Sequence, residues 1–156
     1  MTPAKFFATS KAFRTCLGAK AAAATELLVG FHKMGTGKRS MTWSESGDEA
    51  LCFGWIDGVT KRIDDASYTV RFTPRKTTSI WSKVNIAKYH KLVAEGRMTP
   101  AGYKKIILHW ITTAKRKETR ATRLAKLMEA SAAAERLRLV VVIELTRRWC
   151  GNHSCR

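Results

Sequence analysis

The sequence predicts an α+β fold: a small antiparallel sheet packed by helices and followed by a basic helical C-terminal arm. Hydrophobic residues make up 45% of the 156 residues, which is enough for a core in one small domain. Apolar and polar residues alternate in YTVRF (68–72), as in a half-buried strand. Helix-capping residues precede several apolar-periodic segments, two of them before residue 80 and two after it.

The first helix and the first strand are predicted from short local patterns. Ser10 is a candidate N-cap for a helix over 11–17, and Gly18 can stop that helix. The segment ELLVGFHK (26–33) is short and rich in Leu, Val and Phe, which favours a strand. A glycine-rich loop, MGTGKRS, follows over 34–40.

A second helix and a hairpin follow. Thr42 and Glu45 have the spacing of a capping box, which predicts a helix to about Phe53. The segments 55–63 and 67–73 then predict two antiparallel strands, joined by a turn that contains two aspartates. With a strand over 27–33, these two strands form the predicted sheet.

The C-terminal half is predicted to be helical. Ser82 is a candidate N-cap for a helix to Glu95. Thr99 and Pro100 have the pattern of an N-cap followed by proline at the first helical position. The composition is then strongly helical over 104–139.

The net charge of +17 arises from 29 basic and 12 acidic residues. Residues 1–100 contribute +8 and residues 101–156 contribute +9, so the excess is denser towards the C-terminus. Such a charge favours polyanionic partners without selecting among nucleic acid, anionic lipid and acidic protein.

Neither a secretory signal nor a membrane span is predicted. The N-terminal segment MTPAKFFATSK contains no apolar stretch of signal-peptide length, and the apolar segment 21–31 is too short to cross a bilayer. We therefore expect a cytoplasmic protein with reduced cysteines.

Several short sequence motifs together resemble the YdeI/OmpD-associated (bacteriocin-protection) family. Those motifs, within about 8–102, are ALCFGWIDG, RIDD, YTVRFTPRK, SIWSKVN and LVAEGRMTPAG. In addition, TAKRKETRATRLAKLMEA over 113–130 is similar to the family's C-terminal helix. The chain resembles a short form that lacks the segment before that helix. The division expected is a core over 1–102, a basic helix over 103–137 and a poorly packed tail over 138–156.

The resemblance implies a small bacterial α+β protein with a non-enzymatic role in stress response or bacteriocin protection. We expect that role to involve an anionic partner, either a small ligand or a nucleic acid, or a protein partner, and no cofactor. The resemblance supplies no catalytic residues.

The stretch RFTPRKTTSIWSKVN (71–85) is the first candidate site. A helix beginning after Ser82 would present free backbone amides beside basic and hydroxyl side chains, a combination that suits phosphate or carboxylate. The alternative is a plain turn and cap, with Trp81 in the core and the arginines paired with aspartates. The candidate anion-binding residues are Arg71, Arg75, Ser79, Ser82, Lys83 and Asn85.

Asp57, between two glycines in GWIDG, is also included in the anion-site hypothesis. It could serve as a general base or as the partner of an arginine, which leaves open an enzyme of unknown reaction that uses Asp57, Arg71 and Arg75. The alternative is a turn in which Asp57 bonds nearby amides.

A basic series in the C-terminal arm is the candidate nucleic-acid site. Arg116, Arg120 and Arg123 have the i, i+4, i+7 spacing of one helix face, and Trp110 or Tyr103 could stack on bases. A solvated helix face is the alternative. The candidates are Lys115, Arg116, Arg120 and Arg123.

Two other kinds of site are not predicted. In MGTGKRS the glycine that a phosphate-binding loop needs at position 32 is His32, and Arg39 replaces the serine or threonine. Cys150, His153 and Cys155 lie close together but lack a fourth ligand, so we predict no metal site.

Overall fold

The computed structural model describes residues 3–132, with side chains to residue 129. The described chain divides into two compact units. The first comprises residues 3–76 and 98–103, and the second comprises 77–97 and 104–132. The boundary expected at 102–103 stays a prediction, and the predicted tail over 138–156 lies outside the described residues.

The first unit contains a four-stranded sheet in the order β1-β2-β4-β3. These strands are β1 (Lys5–Phe6), β2 (Leu27–His32), β3 (Trp55–Arg62) and β4 (Ser67–Pro74). The three predicted strands form its antiparallel part, as expected. β1 was not predicted: it has two residues and pairs in parallel with β2.

One face of the sheet carries the core of the first unit. In the β2–β4 register, Leu27 lies opposite Phe72 and Val29 lies opposite Val70, so these side chains share a face. Phe13, from α1 (Ser10–Lys20), packs on this face with its ring 5.4 Å from that of Phe72. The period-2 pattern of β4 therefore determines which face is buried.

The predicted capping box is present at the start of α2 (Trp43–Cys52). The Thr42 hydroxyl accepts a hydrogen bond from the Glu45 amide, and the Glu45 carboxylate accepts one from the Thr42 amide at 2.7 Å. The carboxylate also accepts a hydrogen bond from the Thr42 hydroxyl at 2.8 Å. The backbone and hydroxyl bonds to the carboxylate lower the pKa of Glu45, because they stabilise its ionised form. Gly54, with φ of 73°, follows the helix and adopts the left-handed conformation that favours glycine at a helix end.

The second unit is built around helices. Ser82 caps α3 (Lys83–Ala94), as predicted. Most of α4 (Pro100–Thr112) and all of the described α5 (Lys117–Ala132) also belong to this unit. Trp81 packs edge-on against Tyr89, with ring centroids 6.1 Å apart.

The helical region predicted over 104–139 is interrupted at residues 113–116. No glycine or proline marks the break. The hydroxyl of Thr112 instead donates to the Leu108 carbonyl at 2.8 Å, and that of Thr113 donates to the His109 carbonyl at 2.8 Å. Such bonds to preceding carbonyls compete with helix propagation. Residues 133–139 lie outside the described part of the chain.

The start of α4 is joined to the end of α2 within the first unit. The carbonyl of Cys52 accepts hydrogen bonds from the backbone amide of Thr99 at 3.0 Å and from its hydroxyl at 2.6 Å. Gly102 lies so close that a Cβ atom there would overlap the Cys52 carbonyl oxygen. The absence of a side chain at Gly102 therefore permits this junction.

Gly102→Ala should destabilise the protein by roughly 1–3 kcal/mol, because the new methyl group meets backbone atoms that cannot rotate away. Gly18→Ala is the matched control: Gly18 is also helical, but its Cβ would meet nothing within 4 Å. It should stabilise by about 0.5–1 kcal/mol through helix propensity alone. Urea unfolding of both variants measures the difference, and equal midpoints would contradict the close approach.

Trp81→Ala should lower the free energy of unfolding by roughly 3–5 kcal/mol, because it removes a large buried ring. Trp81 is 5% exposed, and Trp55 and Phe72 are also buried. Trp43→Ala is the control, because that ring is 55% exposed. It should change stability by less than about 1 kcal/mol. Chemical denaturation followed by circular dichroism compares the two variants.

Candidate functional site

The predicted anion-binding stretch 71–85 divides between the two units after residue 76. Arg71 and Arg75 lie in the first unit, with different environments. Arg71 is exposed, and its Nε donates to Glu26 Oε2 at 2.7 Å. It thus forms a surface ion pair with an acid on the chain segment just before β2.

Arg75 is buried, with only 1% of its surface exposed. Its backbone amide donates to the Gly54 carbonyl at 2.9 Å. Burial lowers the pKa of its guanidinium, and the negative charge of Asp57 partly opposes that shift. Asp57 therefore lies near enough to Arg75 for their charges to interact, and its part in an anion site stays a prediction.

A β-bulge positions Asp57. Asp57 lies opposite Phe72, whereas Thr60 lies opposite Val70, so β3 contains one extra residue between them. Asp57 consequently shares the sheet face of Phe72, where it is half-buried. The local glycine of the predicted turn, Gly58, lies in the bulge.

The remaining predicted anion ligands lie in the second unit. The Ser82 hydroxyl accepts a hydrogen bond from the Asn85 amide at 3.2 Å, so it acts as the N-cap of α3. Lys83 is exposed and Ser79 is half-buried. Three features of the turn-and-cap alternative are thus present: the cap, the buried Trp81 and an arginine beside Asp57. Anion binding by this stretch stays a prediction.

The second unit carries most of the excess positive charge. Its described residues include 12 basic and 3 acidic side chains, against 12 and 7 in the larger first unit. The acids of the second unit are Glu95, Glu118 and Glu129, and Glu95 already pairs with Arg97 at 2.9 Å. Little negative charge thus remains to neutralise the basic residues of α4 and α5.

Two of the predicted nucleic-acid residues bind the C-terminal end of α4. Arg120 Nε donates to the Ala114 carbonyl at 2.8 Å, and Arg123 Nη1 donates to the Trp110 carbonyl. The Arg123 guanidinium also lies over the Trp110 ring, 4.9 Å from its centroid. Cations are favoured at a helix C-terminus because the last carbonyls carry partial negative charge.

These contacts leave little of the predicted base-stacking surface open. Trp110 is 8% exposed, and a guanidinium covers part of its ring. Burial lowers the pKa of Arg123 and raises that of Tyr103, the other predicted stacking residue, which is half-buried. Base stacking on these two rings would require movement of their present neighbours.

The break between α4 and α5 presents three consecutive basic side chains. Lys115, Arg116 and Lys117 are all exposed, and none of them forms an ion pair within residues 3–129. The Arg116 carbonyl accepts the amide of Arg120 at 3.2 Å, so Arg116 lies at the start of α5. We call residues 115–117 the basic turn. It retains two of the four predicted nucleic-acid residues.

The described residues also bear on metal binding and on membrane insertion. No group of three or more possible metal ligands occurs there. Cys150, His153 and Cys155 lie outside the described part. Within residues 3–132, no helix is both long and apolar enough to cross a membrane.

Two family models match the chain. The first is described as "Domain of unknown function (DUF8412)" and matches residues 5–105, more than half of the sequence. The chain belongs to this family. The second, "Bacteriocin-protection, YdeI or OmpD-Associated", matches residues 98–134. No curated protein and no solved structure matches significantly.

The second match supports the resemblance inferred from the sequence motifs, but it covers a different part of the chain. We expected it mainly over 8–102, whereas the matched segment is 98–134. That segment includes the motif at 113–130 that is similar to the family's C-terminal helix. The remaining motifs lie mostly in the part of the chain that matches the domain of unknown function. The two matches overlap at 98–105, which includes the Thr99–Gly102 junction.

Arg123→Met should destabilise the protein by about 1–2 kcal/mol, because it removes a charge-assisted bond to a helix end and a cation–π contact. Lys126→Met is the matched control on the same helix, because Lys126 is exposed. Its effect should stay within about 0.5 kcal/mol. Thermal and urea unfolding measure both variants. Equal losses would show that Arg123 is a solvated residue.

Proposed function

We propose that this protein is a non-enzymatic protein of the bacteriocin-protection type that binds an anionic partner through the basic turn. One observation carries the proposal: the bacteriocin-protection match over 98–134 coincides with a strongly basic part of the described chain. That segment holds eight basic residues and two acidic ones. The matched segment is thus the one with the charge for an anionic partner.

The arrangement of α4 and α5 supports this choice of surface. Arg120 and Arg123 are engaged at the end of α4 and fix the break between the helices. The basic turn lies at that break with its side chains in solvent. Basic residues held on a defined turn lose less conformational entropy on binding than residues of a free chain.

A nucleic acid is the second candidate partner. The charge of the second unit favours it, because Lys and Arg neutralise phosphates whatever the base sequence. The contacts support recognition of the phosphate backbone more than base stacking, because Trp110 is buried under Arg123. This version predicts sequence-independent binding with steep salt dependence.

The enzyme alternative built on Asp57, Arg71 and Arg75 is less well supported. Arg71 pairs on the surface with Glu26, whereas Arg75 is buried beside Asp57. The two arginines therefore have separate electrostatic roles. A cytoplasmic location and a part in stress response complete the proposal as expectations from the sequence.

The test compares two triple variants of the full chain. Lys115→Gln/Arg116→Gln/Lys117→Gln removes the basic turn. Lys33→Gln/Lys38→Gln/Arg39→Gln removes three exposed basic residues of the first unit and leaves the same net charge. The probes are single-stranded DNA of about 20 nucleotides, polyglutamate, and vesicles that contain phosphatidylglycerol. Binding is measured by fluorescence anisotropy or co-sedimentation over a series of salt concentrations.

The basic-turn variant should bind about tenfold more weakly than the control variant at low salt. For DNA, its salt slope should fall by about 2, since each lost phosphate contact contributes roughly 0.7. DNA binding alone, without polyglutamate or vesicle binding, would favour the nucleic-acid candidate. Equal affinities of the two variants for every probe would refute the basic turn as the site.

A further inference from the structure

A cleft of about 330 Å³ opens in the first unit, beside the short edge strand β1. Its apolar walls include Phe7, Phe13, Leu27 and Val29, contributed by α1, β2 and the residue after β1. Phe7, Phe13 and Val29 belong to the hydrophobic core, and Leu27 packs against it. Phe13 and Val29 are almost fully covered beneath it, so the apolar surface that the cleft opens to solvent belongs to half-buried residues such as Leu27, Leu28 and Cys16.

Charged groups surround this opening unequally. Lys5 and Lys20 line the cleft and are exposed, and neither forms an ion pair in the described part of the chain. The Lys5 ammonium lies 5.3 Å from the centroid of the Phe7 ring. Glu26 also lines the cleft, but Arg71 neutralises it through their 2.7 Å ion pair. Two positive charges thus remain beside the apolar walls.

We propose that this cleft binds a medium-chain carboxylate, a molecule with one anionic end and an unbranched or compact apolar body. The apolar body would lie against Leu27, Leu28 and Cys16, the half-buried residues of the lining, where contact removes it from water. The carboxylate would lie between Lys5 and Lys20, which supply charge-assisted hydrogen bonds. The site is separate from the basic turn, and so this ligand goes beyond the proposed function.

Size and charge select this ligand class. A cleft of 330 Å³ is at the small end of ligand sites, which suits a chain of about eight to twelve carbons. An amphipathic cation would meet the two lysines with the wrong sign. A mononucleotide would place its polar base and sugar against the aromatic and aliphatic walls, where their hydrogen bonds to water would be lost.

The experiment titrates decanoate, below its micelle-forming concentration, into the full-length protein by calorimetry. Decanol and decyltrimethylammonium have the same chain with no charge and with the opposite charge. Lys5→Gln/Lys20→Gln tests the proposed carboxylate contacts. Lys11→Gln/Lys33→Gln is the matched control, because both residues are exposed in the same unit and do not line the cleft.

Decanoate should bind with a dissociation constant of about 1–100 µM. The affinity should fall about tenfold in the Lys5/Lys20 variant and stay unchanged in the control. Decanol should bind both variants equally, and decyltrimethylammonium should bind more weakly than decanoate. Absence of decanoate binding, or equal loss in both double variants, would overturn the proposal.

Cys16 provides a second readout that locates the ligand. It is a half-buried free thiol in the cleft wall, whereas Cys52 is buried. Saturating decanoate should slow alkylation of Cys16 by iodoacetamide at least severalfold, as measured by peptide mass spectrometry. Unchanged alkylation of Cys16 in the presence of bound decanoate would place the ligand elsewhere and refute the site.

Discussion

The backbone carbonyl of Cys52 joins two parts of the chain that lie 47 residues apart in sequence. It accepts both the amide and the hydroxyl of Thr99, and Gly102 can approach it only because it lacks a side chain. This junction holds the end of α2 against the start of α4 within the first unit. The position at which α4 begins in the first unit therefore depends on one carbonyl and one glycine. The overlap of the two family matches, at 98–105, falls on the same junction.

The positive charge of this protein has two physical uses. Some arginines act inside the fold: Arg14 pairs with the buried Glu49 at 2.7 Å, Arg75 is buried beside Asp57, and Arg123 covers a helix end. Each guanidinium there meets a negative or partially negative group that offsets the cost of removing its charge from water. The basic turn differs, because its side chains remain in solvent. Net charge alone does not separate these uses, whereas the contact made by each guanidinium does.

The two proposals concern different units and different chemistry. The basic turn is an exposed charged surface, which suits a large anionic partner whose binding weakens with salt. The cleft beside β1 is small and apolar with two lysines, which suits a single small amphipathic anion. Their tests are independent, because the variants at Lys5 and Lys20 leave residues 115–117 intact. The family shown for most of the chain is described as a domain of unknown function, and the two experiments test one chemical hypothesis for each unit of this member.

The sequence by itself determined the features that depend on local interactions. The alternation of Tyr68, Val70 and Phe72 gave β4, and the hydroxyls of Thr42 and Ser82 gave two helix starts, because a strand face and a cap need only neighbouring residues. Tertiary structure decided the rest. The short strand β1 exists only through its pairing with β2, and its two residues carry no pattern of their own. The interaction partner of each arginine depends on which acid or carbonyl the folded chain places beside it. Sequence spacing does not encode such pairings.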